Sequence, residues 1–263
     1  MNKTLKIIKY QIKDNIQSRW IIGFFLFFLA FSVWIITFTG NVSKVIMSIL
    51  NLILIVLPLI SLIFGTIYIY NNLNYIKFIL TQPVKRTSIY LGLYLGLVIP
   101  LVFCLIFGIG IPIIIFYPLF ASDVEIVILL FLTGIFQIII FTAFAFFIAS
   151  ANDDRLKGLG VSIFVWLFFT IIYDGFILFI LQTFQDYPLE KTALVLMMIN
   201  PIDIGRIFII LKFDVSALMG YTGAVFEKFF GNNLGMFISF FVQVFWFFVF
   251  FILGLKVFKN KDF

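Results

Sequence analysis

Long uncharged, apolar stretches alternate with short charged segments along this chain. A membrane-spanning helix needs roughly 17 to 25 predominantly apolar residues, and six intervals between charged residues are long enough. These intervals lie between Arg19 and Lys44, Lys44 and Lys77, Arg86 and Asp123, Glu125 and Asp153, Lys157 and Asp186, and Lys228 and Lys256. The fifth contains one charged residue, Asp174. The pattern therefore predicts an all-α integral membrane protein with six transmembrane helices.

The six intervals predict one polytopic membrane domain over residues 1–263. Its expected parts are a cytoplasmic elbow helix over 1–19, spans one to five over 20–182, an extracytoplasmic helical segment over 183–233, span six over 234–256 and a cytoplasmic tail over 257–263. Composition agrees, since 63% of the residues are hydrophobic, 11% are charged and the mean hydropathy is +1.21. A soluble domain of this length carries about twice that share of charged residues.

Charge predicts the orientation of the helices. With six spans both termini share one side, which holds thirteen of the eighteen Lys and Arg residues. The other side holds five basic residues and seven of the twelve acidic ones. Because cytoplasmic loops of membrane proteins carry the excess of Lys and Arg, both termini are predicted to lie in the cytoplasm.

The N-terminal segment has an amphipathic helical pattern. Its apolar face is formed by Leu5, Ile8, Ile12 and Ile16, with Lys3, Lys6, Lys9 and Lys13 beside it. This pattern is typical of a helix that lies flat on a membrane surface, and it predicts an elbow at Arg19 and Trp20 before the first span. The alternative is that the lysines serve only as an orientation signal.

The connection between spans two and three combines a short apolar stretch with a proline turn. A helix around residues 73–80 is expected to stop there, because proline cannot continue a helix. The turn is formed by Leu80, Thr81, Gln82, Pro83, Val84, Lys85 and Arg86, with the two basic side chains predicted in water. A short helix of this kind suits docking in a groove of a soluble subunit. A solvated loop is an equal alternative.

The connection between spans five and six, about residues 182–233, is long but rich in Leu, Ile, Met and Phe. Flexible linkers lack that apolar content. Asn200 and Pro201 form a helix-start signal. We expect short interfacial or re-entrant helices that form a docking surface, with a structural cap as the alternative.

Two further features lie inside the spans. Asp174 is an ionisable residue within span five, where its charge is costly unless it faces the bundle interior, a partner or water. It therefore indicates a role in gating or assembly, or a position satisfied by hydrogen bonds. Gly92 and Gly96 form a GxxxG spacing that permits close approach of another helix, although glycine is also common in membrane helices.

The sequence excludes most enzyme classes. It contains no histidine, so neither a Ser-His-Asp triad nor an HExxH zinc site is possible. It has no GxxxxGK[ST] phosphate loop, and its single cysteine, Cys104, lies in an apolar run. The basic residues do not form a nucleic-acid-binding face. We therefore predict no catalytic, cofactor-binding or metal-binding residues, and no nucleic-acid partner.

The six spans, the elbow helix and the proline-terminated helix resemble the ABC-2 (type V exporter) class of transporter permeases. The loop over residues 79–86 looks like the coupling motif of that class, a leucine-rich turn ending in Pro-Val-x-Arg. Gly65 and Thr66 also fit, whereas Asn71 and Asn72 stand where carboxylates are common. The resemblance implies that ATPase activity resides in a separate subunit.

A closer resemblance is to the NosY-type permease of the nitrous-oxide-reductase maturation transporter. It is carried by Tyr173, Asp174, residues 200–206 and residues 214–224, with the run from Ser216 to Ala224 the most specific. The resemblance implies a homodimer in the bacterial plasma (inner) membrane, surrounded by lipid. It also implies two copies of an ATPase subunit that binds ATP and Mg, and a periplasmic β-helical protein on the outer side.

The same resemblance implies a function and a set of docking residues. The outer docking residues would be Asn200, Pro201, Asp203, Arg206, Met219, Gly220 and Tyr221. ATP-driven motion of the coupling loop would either export a small species or act mechanically on the periplasmic partner during assembly of a copper-sulfur centre. The alternative within the class is a generic ABC-2 drug or lipid exporter. An autonomous carrier is disfavoured because inverted repeats are not evident in the sequence.

Overall fold

A computed structural model describes residues 3–39, 42–116, 121–184, 190–210 and 220–262. Within these ranges the ordered elements are all helical, with no β-strand. The helices are α1 Lys3–Ile16, α2 Arg19–Thr39, α3 Val42–Asn71, α4 Leu73–Leu80, α5 Arg86–Phe116, α6 Ala121–Ala151, α7 Arg155–Leu167, α8 Tyr173–Thr183, α9 Glu190–Ile199, α10 Pro201–Ile210 and α11 Gly220–Asn260.

Six segments of the described chain are long and apolar enough to cross a membrane. They are Arg19–Thr39, Lys44–Asn71, Arg86–Phe116, Val124–Ala151, Arg155–Thr183 and Gly235–Asn260. The fifth combines α7 and α8 through a π-helical turn, Phe168–Ile172. This confirms the predicted all-α, multi-pass architecture. The third is one continuous helix, although it contains Pro100 and Pro112.

Helix α5 is central in the bundle, with α1 and α2 packed on one flank and α6 and α11 on another. Helix α3 packs on α6 and α7. Aromatic side chains fill the junction of α5, α6 and α11, where the buried Tyr90 ring lies edge-on to Phe146 and Phe258. Such edge-to-face pairs stabilise packing beyond the area that they bury.

Helix α1 packs on the GxxxG spacing of α5. A Cβ atom at Gly92 would overlap the Ile7 side chain, and one at Gly96 would overlap Gln11. The Asn15 amide donates to the Gly96 carbonyl at 2.9 Å. The two glycines therefore admit a helix of the same chain. The residues of α1 that face α5 are polar or lie beside the predicted apolar face, and Leu5 and Ile16 of that face stay exposed.

Helices α9 and α10 form a tight helical hairpin inside the bundle. The turn is at Asn200, and α10 begins at Pro201, which suits the first position of a helix because its missing amide hydrogen is not needed there. Helix α10 packs against α6, α11 and α9, and more lightly against α3 and the π-helical turn. The predicted helix start at Asn200 and Pro201 is confirmed.

Candidate functional site

Three contacts give the depth of the α9–α10 turn in the bundle. The Gln137 amide donates to Pro201 O at 3.0 Å, the Asn200 amide donates to Phe169 O at 2.9 Å, and the Trp246 indole donates to Met198 O at 3.1 Å. Gln137, Phe169 and Trp246 belong to three different spans. Each lies fourteen residues from the end of its span that is on the same side as the chain termini, at Ala151, Arg155 and Asn260 respectively. Fourteen residues of helix are about 21 Å long at 1.5 Å per residue. The turn therefore lies near the middle of the bundle.

Asn200 organises this turn. Its side chain is fully buried, and its Oδ1 accepts from the Ile202 amide at 3.0 Å, which caps α10. Its Nδ2 donates to both Phe169 O and Asp203 Oδ2 at 2.9 Å. In the π-helical turn the Tyr173 amide donates to Phe168 O, five residues earlier instead of four. The backbone hydrogen-bond pattern of the helix therefore changes beside the contact with Asn200. Such π-turns are frequent at functional sites.

A charged cluster lies beside the turn, between α8 and α10. The Arg206 Nη1 atom lies 3.7 Å from Asp174 Oδ2 and 3.6 Å from Asp203 Oδ1. Two carboxylates thus share one guanidinium. Asp174, which the sequence placed within a span, therefore faces a cation on the hairpin, and the pairing reduces the cost of its charge.

A cavity of about 150 Å³ opens beside this cluster. It is lined by Asp174, Ile177, Leu178, Met197, Asp203, Arg206 and Ile207. Its wall is fixed from α8, where the Tyr173 hydroxyl donates to Leu196 O at 2.6 Å. Three charged groups at the edge of an apolar cavity can hold a small polar species or a proton. Groups of three or more His, Cys, Asp or Glu residues able to hold a metal ion are not found in the described part of the chain.

Burial raises the pKa of Asp203 to about 7; the neighbouring Asp174 carboxylate also raises it, whereas Arg206 and Asn200 lower it. The folded chain therefore binds a proton at Asp203 that the unfolded chain releases at lower pH. Stability from this group is present below the unfolded pKa, and it is lost as the pH rises toward 7. Asp174 and Arg206 both face Asp203. A proton on Asp203 relieves the repulsion between its carboxylate and that of Asp174.

We expect the melting temperature of the purified protein to fall as the pH is raised from 4.5 to 7.5. Part of that fall should disappear in the Asp203→Asn variant, because the amide mimics the protonated carboxyl and does not titrate. Thermal melts of both proteins at matched ionic strength measure the difference. Identical pH profiles of wild type and variant would contradict the assignment.

The predicted outer docking residues are only partly placed at a surface. Asn200, Pro201 and Asp203 are buried inside the bundle, so these three side chains do not form an exposed docking surface. Arg206 is half-buried at the cavity. Met219 and the Tyr221 side chain lie outside the described residues, Gly220 is described only as the first residue of α11, and docking on this side of the bundle stays a prediction.

The predicted coupling loop lies at the opposite end, beside the C-terminal residues. Thr81, Gln82, Pro83 and Lys85 are exposed, whereas Leu80, Val84 and Arg86 are partly buried. Arg86 differs from the prediction of a fully hydrated side chain. Its Nη1 donates to Lys259 O at 2.7 Å and Lys261 O at 2.6 Å.

The C-terminal residues connect this loop to the α6–α7 connection. The Lys261 ammonium donates to Asn152 O at 3.1 Å and pairs with Asp153 at 3.0 Å. From α3, the Tyr70 hydroxyl donates to Asn152 O at 3.0 Å. We call this set of contacts the terminal network; it comprises Tyr70, Arg86, Asn152, Asp153 and Lys261. It joins the α4–α5 turn, the α6–α7 connection, the end of α3 and the C-terminal residues at one end of the bundle.

Comparison with known proteins adds to this geometry. No family model matches the chain. The chain is 26% identical over 231 residues to the Probable ABC transporter permease protein NosY of Pseudomonas aeruginosa, covering 81% of this chain and 84% of the relative. It is 24% identical over 234 residues to the protein of the same name from Stutzerimonas stutzeri, covering 82% and 84%. These similarities support the resemblance of this chain to NosY-like ABC transporter permeases.

The NosY-like similarity and the six apolar helices support a multi-pass permease subunit of an ABC transporter. Permease subunits of such transporters are not catalytic themselves, and the similarity implies an ATPase partner. The prediction of a permease, which came from the resemblance to ABC-2 and NosY-type permeases, agrees with the names of both relatives.

Sequence reasoning missed several residues of the site. The Gln137 side chain and the Phe169 carbonyl hold the hairpin turn. Phe169 does not stand out in an apolar run, because its contribution is a backbone group. The one available signal for Gln137 was its polarity within span four, since an amide inside a membrane helix requires a partner. Arg206 was identified as a docking residue, and its pairing with Asp174 was not foreseen.

Proposed function

We propose that the chain is the permease of an ATP-driven transporter that acts in the assembly of the copper-sulfur centre of nitrous oxide reductase. The proposal rests on the NosY names of both relatives. In it, the chain forms a homodimer in the bacterial inner membrane with both termini in the cytoplasm. Two ATPase subunits bind ATP and Mg, a periplasmic β-helical protein sits on the outer side, and lipid surrounds the spans.

Helix α4 is the proposed docking element for the ATPase. Ile76 and Ile79 are buried against the bundle, which anchors one face of the helix. The opposite face presents Lys77 and Phe78, and the Phe78 side chain is 64% exposed. An exposed aromatic beside a basic residue on a short anchored helix suits insertion into a groove of a soluble subunit.

The terminal network is the single observation that carries the mechanism. In this proposal a push on α4 reaches Arg86 through the turn of residues 81–85, because α5 begins at Arg86. Arg86 holds the C-terminal residues, and Lys261 passes the displacement to the α6–α7 connection. Helix α7 continues through the π-helical turn into α8, which carries Asp174 beside the hairpin. The ATP-driven displacement would therefore move the hairpin. Movement of the hairpin would either export a small species or act mechanically on the outer partner.

We expect Phe78→Ala to reduce the amount of ATPase that co-purifies with the chain by roughly thirtyfold, since a buried aromatic anchor contributes about 2 kcal/mol at an interface. The matched control is Phe38→Ala, which removes a ring that is 78% exposed near the other end of the bundle. Pull-down in mild detergent with quantified ATPase measures the effect. Equal retention of ATPase by both variants would contradict docking through α4.

The proposed role itself is tested by purifying the complex from the native membrane in mild detergent. Recovery of an ATPase together with a periplasmic β-helical protein supports the maturation transporter. Recovery of an ATPase without that protein favours the alternative, a generic ABC-2 drug or lipid exporter. If the chain is recovered alone and moves a solute by itself, it is an autonomous carrier and the proposal is wrong.

A further inference from the structure

Polar groups without partners flank helix α10 on the side away from the charged cluster. Gln137 Oε1, Thr133 Oγ1, Ser239 Oγ and both polar atoms of Gln243 are buried and have no hydrogen-bond partner in the described part of the chain. All four residues are 0% exposed. In an apolar environment an unmade hydrogen bond is costly, so these groups require explanation.

Two of the four residues, Gln137 and Thr133, lie against α10, and the other two lie on the neighbouring helix α11. A Cβ atom at Gly205 of α10 would lie 2.5 Å from Gln137 Nε2 and 3.2 Å from Thr133 Cγ2. Ser239 and Gln243 are buried on α11, which packs against both α6 and α10. The rings of Phe136 and Phe240 meet edge-on, with their centroids 5.4 Å apart. Phe136 neighbours Gln137 on α6 and Phe240 neighbours Ser239 on α11, so these parts of the two helices lie side by side. We call these four residues the polar seam.

The two glutamines distinguish this seam from isolated buried hydroxyls. A Ser or Thr hydroxyl in a helix can rotate toward a carbonyl one turn earlier. A glutamine amide carries two donor hydrogens and an acceptor oxygen, which demand partners outside its own helix. Gln137 satisfies one donor through Pro201 O at the hairpin turn, and Gln243 satisfies none within the described residues.

We propose that the polar seam is a binding site for a small uncharged solute rich in hydrogen-bonding groups, and that α10 is the gate between this site and the outer cavity. The seam holds amide and hydroxyl groups without a formal charge, so it matches neutral solutes better than ions. The cavity with Asp174 and Arg206 lies on the other flank of α10. In this proposal a shift of α10 breaks the contact between Gln137 and Pro201 and opens the closely packed seam toward the cavity at Asp174 and Arg206.

The test is thiol labelling of single-cysteine variants in the native complex, with Cys104 replaced by alanine. Ser239→Cys is a nearly isosteric change, and Thr133→Cys replaces the hydroxyl by a thiol with loss of one methyl group. Ala143→Cys is the control, because Ala143 is fully buried on α6 in an apolar environment. The probes are neutral methyl methanethiosulfonate and its trimethylammonium-ethyl analogue. Thiols react as thiolates, which form in a hydrated, polar site and are suppressed in an apolar one.

We expect the neutral reagent to modify both seam cysteines about tenfold faster than Ala143→Cys, because thiolate formation follows local polarity. The cationic reagent should not exceed its rate at Ala143→Cys, and ATP should change the neutral rate. Seam rates equal to the control with every probe overturn the site. Equal rates for both reagents at the seam overturn the preference for neutral solutes.

The ATP dependence of the gate rests on the proposed transporter function, and the two fail separately. If no ATPase is recovered with the chain, the proposed function fails, and the neutral labelling rates still decide whether the seam is a site. If the complex hydrolyses ATP and the seam labels equally fast with and without it, α10 is not the gate.

Discussion

Replacing Asn200 with leucine is expected to destabilise the folded chain more than any other single polar substitution in the hairpin. Leucine is similar in size but makes none of the three hydrogen bonds of the buried amide, to Phe169 O, Asp203 Oδ2 and the Ile202 amide. Their loss costs about 3 kcal/mol, and a chain of this length then melts roughly 5–10 °C lower. Thermal unfolding of the purified protein in detergent measures the shift.

The matched control is Asn152→Leu. The Asn152 amide donates to Ile148 O of its own helix at 2.9 Å, so its loss removes a local contact only. We expect a shift of less than about 2 °C there, because one partly hydrated hydrogen bond contributes about 0.5 kcal/mol. Equal shifts in both variants would show that Asn200 does not organise the turn.

The conservative variant Asn200→Asp separates the two roles of this side chain. Aspartate keeps an oxygen that caps α10, but it lacks the amide donor and adds a charge beside Asp203. We expect it to melt as low as the leucine variant at neutral pH. It should recover partly at acidic pH, where one carboxyl of the pair takes up a proton. A variant that matches wild type at every pH would assign the whole effect to the cap.

The spans were predictable because charge is so costly inside a membrane. Arg19 and Arg86 bounded predicted intervals, and Arg155 lay in the polar segment between two of them; each is the first residue of a helix in the structure. No knowledge of packing was needed, since the cost of burying a guanidinium exceeds any preference of the neighbouring residues.

The face of α1 that packs against α5 could not be predicted in the same way. Hydrophobic periodicity selected Leu5 and Ile16, whereas the helix packs through Ile7, Gln11 and Asn15. The choice depends on the glycines of α5, some eighty residues away in the chain, which remove side-chain volume at that place. A helix in a membrane also has no reason to hide its apolar face, because lipid solvates it.

Only some residues of the candidate site were predictable, and their arrangement was not. Asp174 stood out as a charge inside a span, and Arg206 was identified as a docking residue through the resemblance to NosY-type permeases. Their pairing depends on a hairpin that returns α10 to the middle of the bundle, and the helix-start signal at Asn200 gives the turn without its depth. The polar seam is of the same kind, since Gln137 and Gln243 become neighbours of α10 only through packing.

Replacing Arg86 with alanine is expected to release the C-terminal residues from the coupling loop. Two charge-assisted hydrogen bonds, to Lys259 O and Lys261 O, are lost, which costs about 2 kcal/mol in total. Opening of this end should therefore rise about thirtyfold. Hydrogen exchange of the peptide covering residues 255–262 measures the effect directly, without any partner subunit.

Lys85→Ala is the control, because it removes a neighbouring positive charge whose side chain is exposed. It should leave exchange of the C-terminal peptide unchanged. If both variants accelerate exchange equally, the effect follows from charge in the turn, and the Arg86 contacts are not its cause.

Combining Arg86→Ala with Lys261→Ala tests whether the terminal network acts as one unit. Lys261 ties the same C-terminal residues to Asn152 O and Asp153, so either substitution alone frees most of the segment. Residues of one network show non-additive effects, and the double variant should exchange little faster than Arg86→Ala. In the native complex, each variant should also weaken the effect of ATP on labelling of the polar seam. Additive exchange rates would mean that α4 and the α6–α7 connection are held independently, so a push on one would not reach the other through the C-terminal residues.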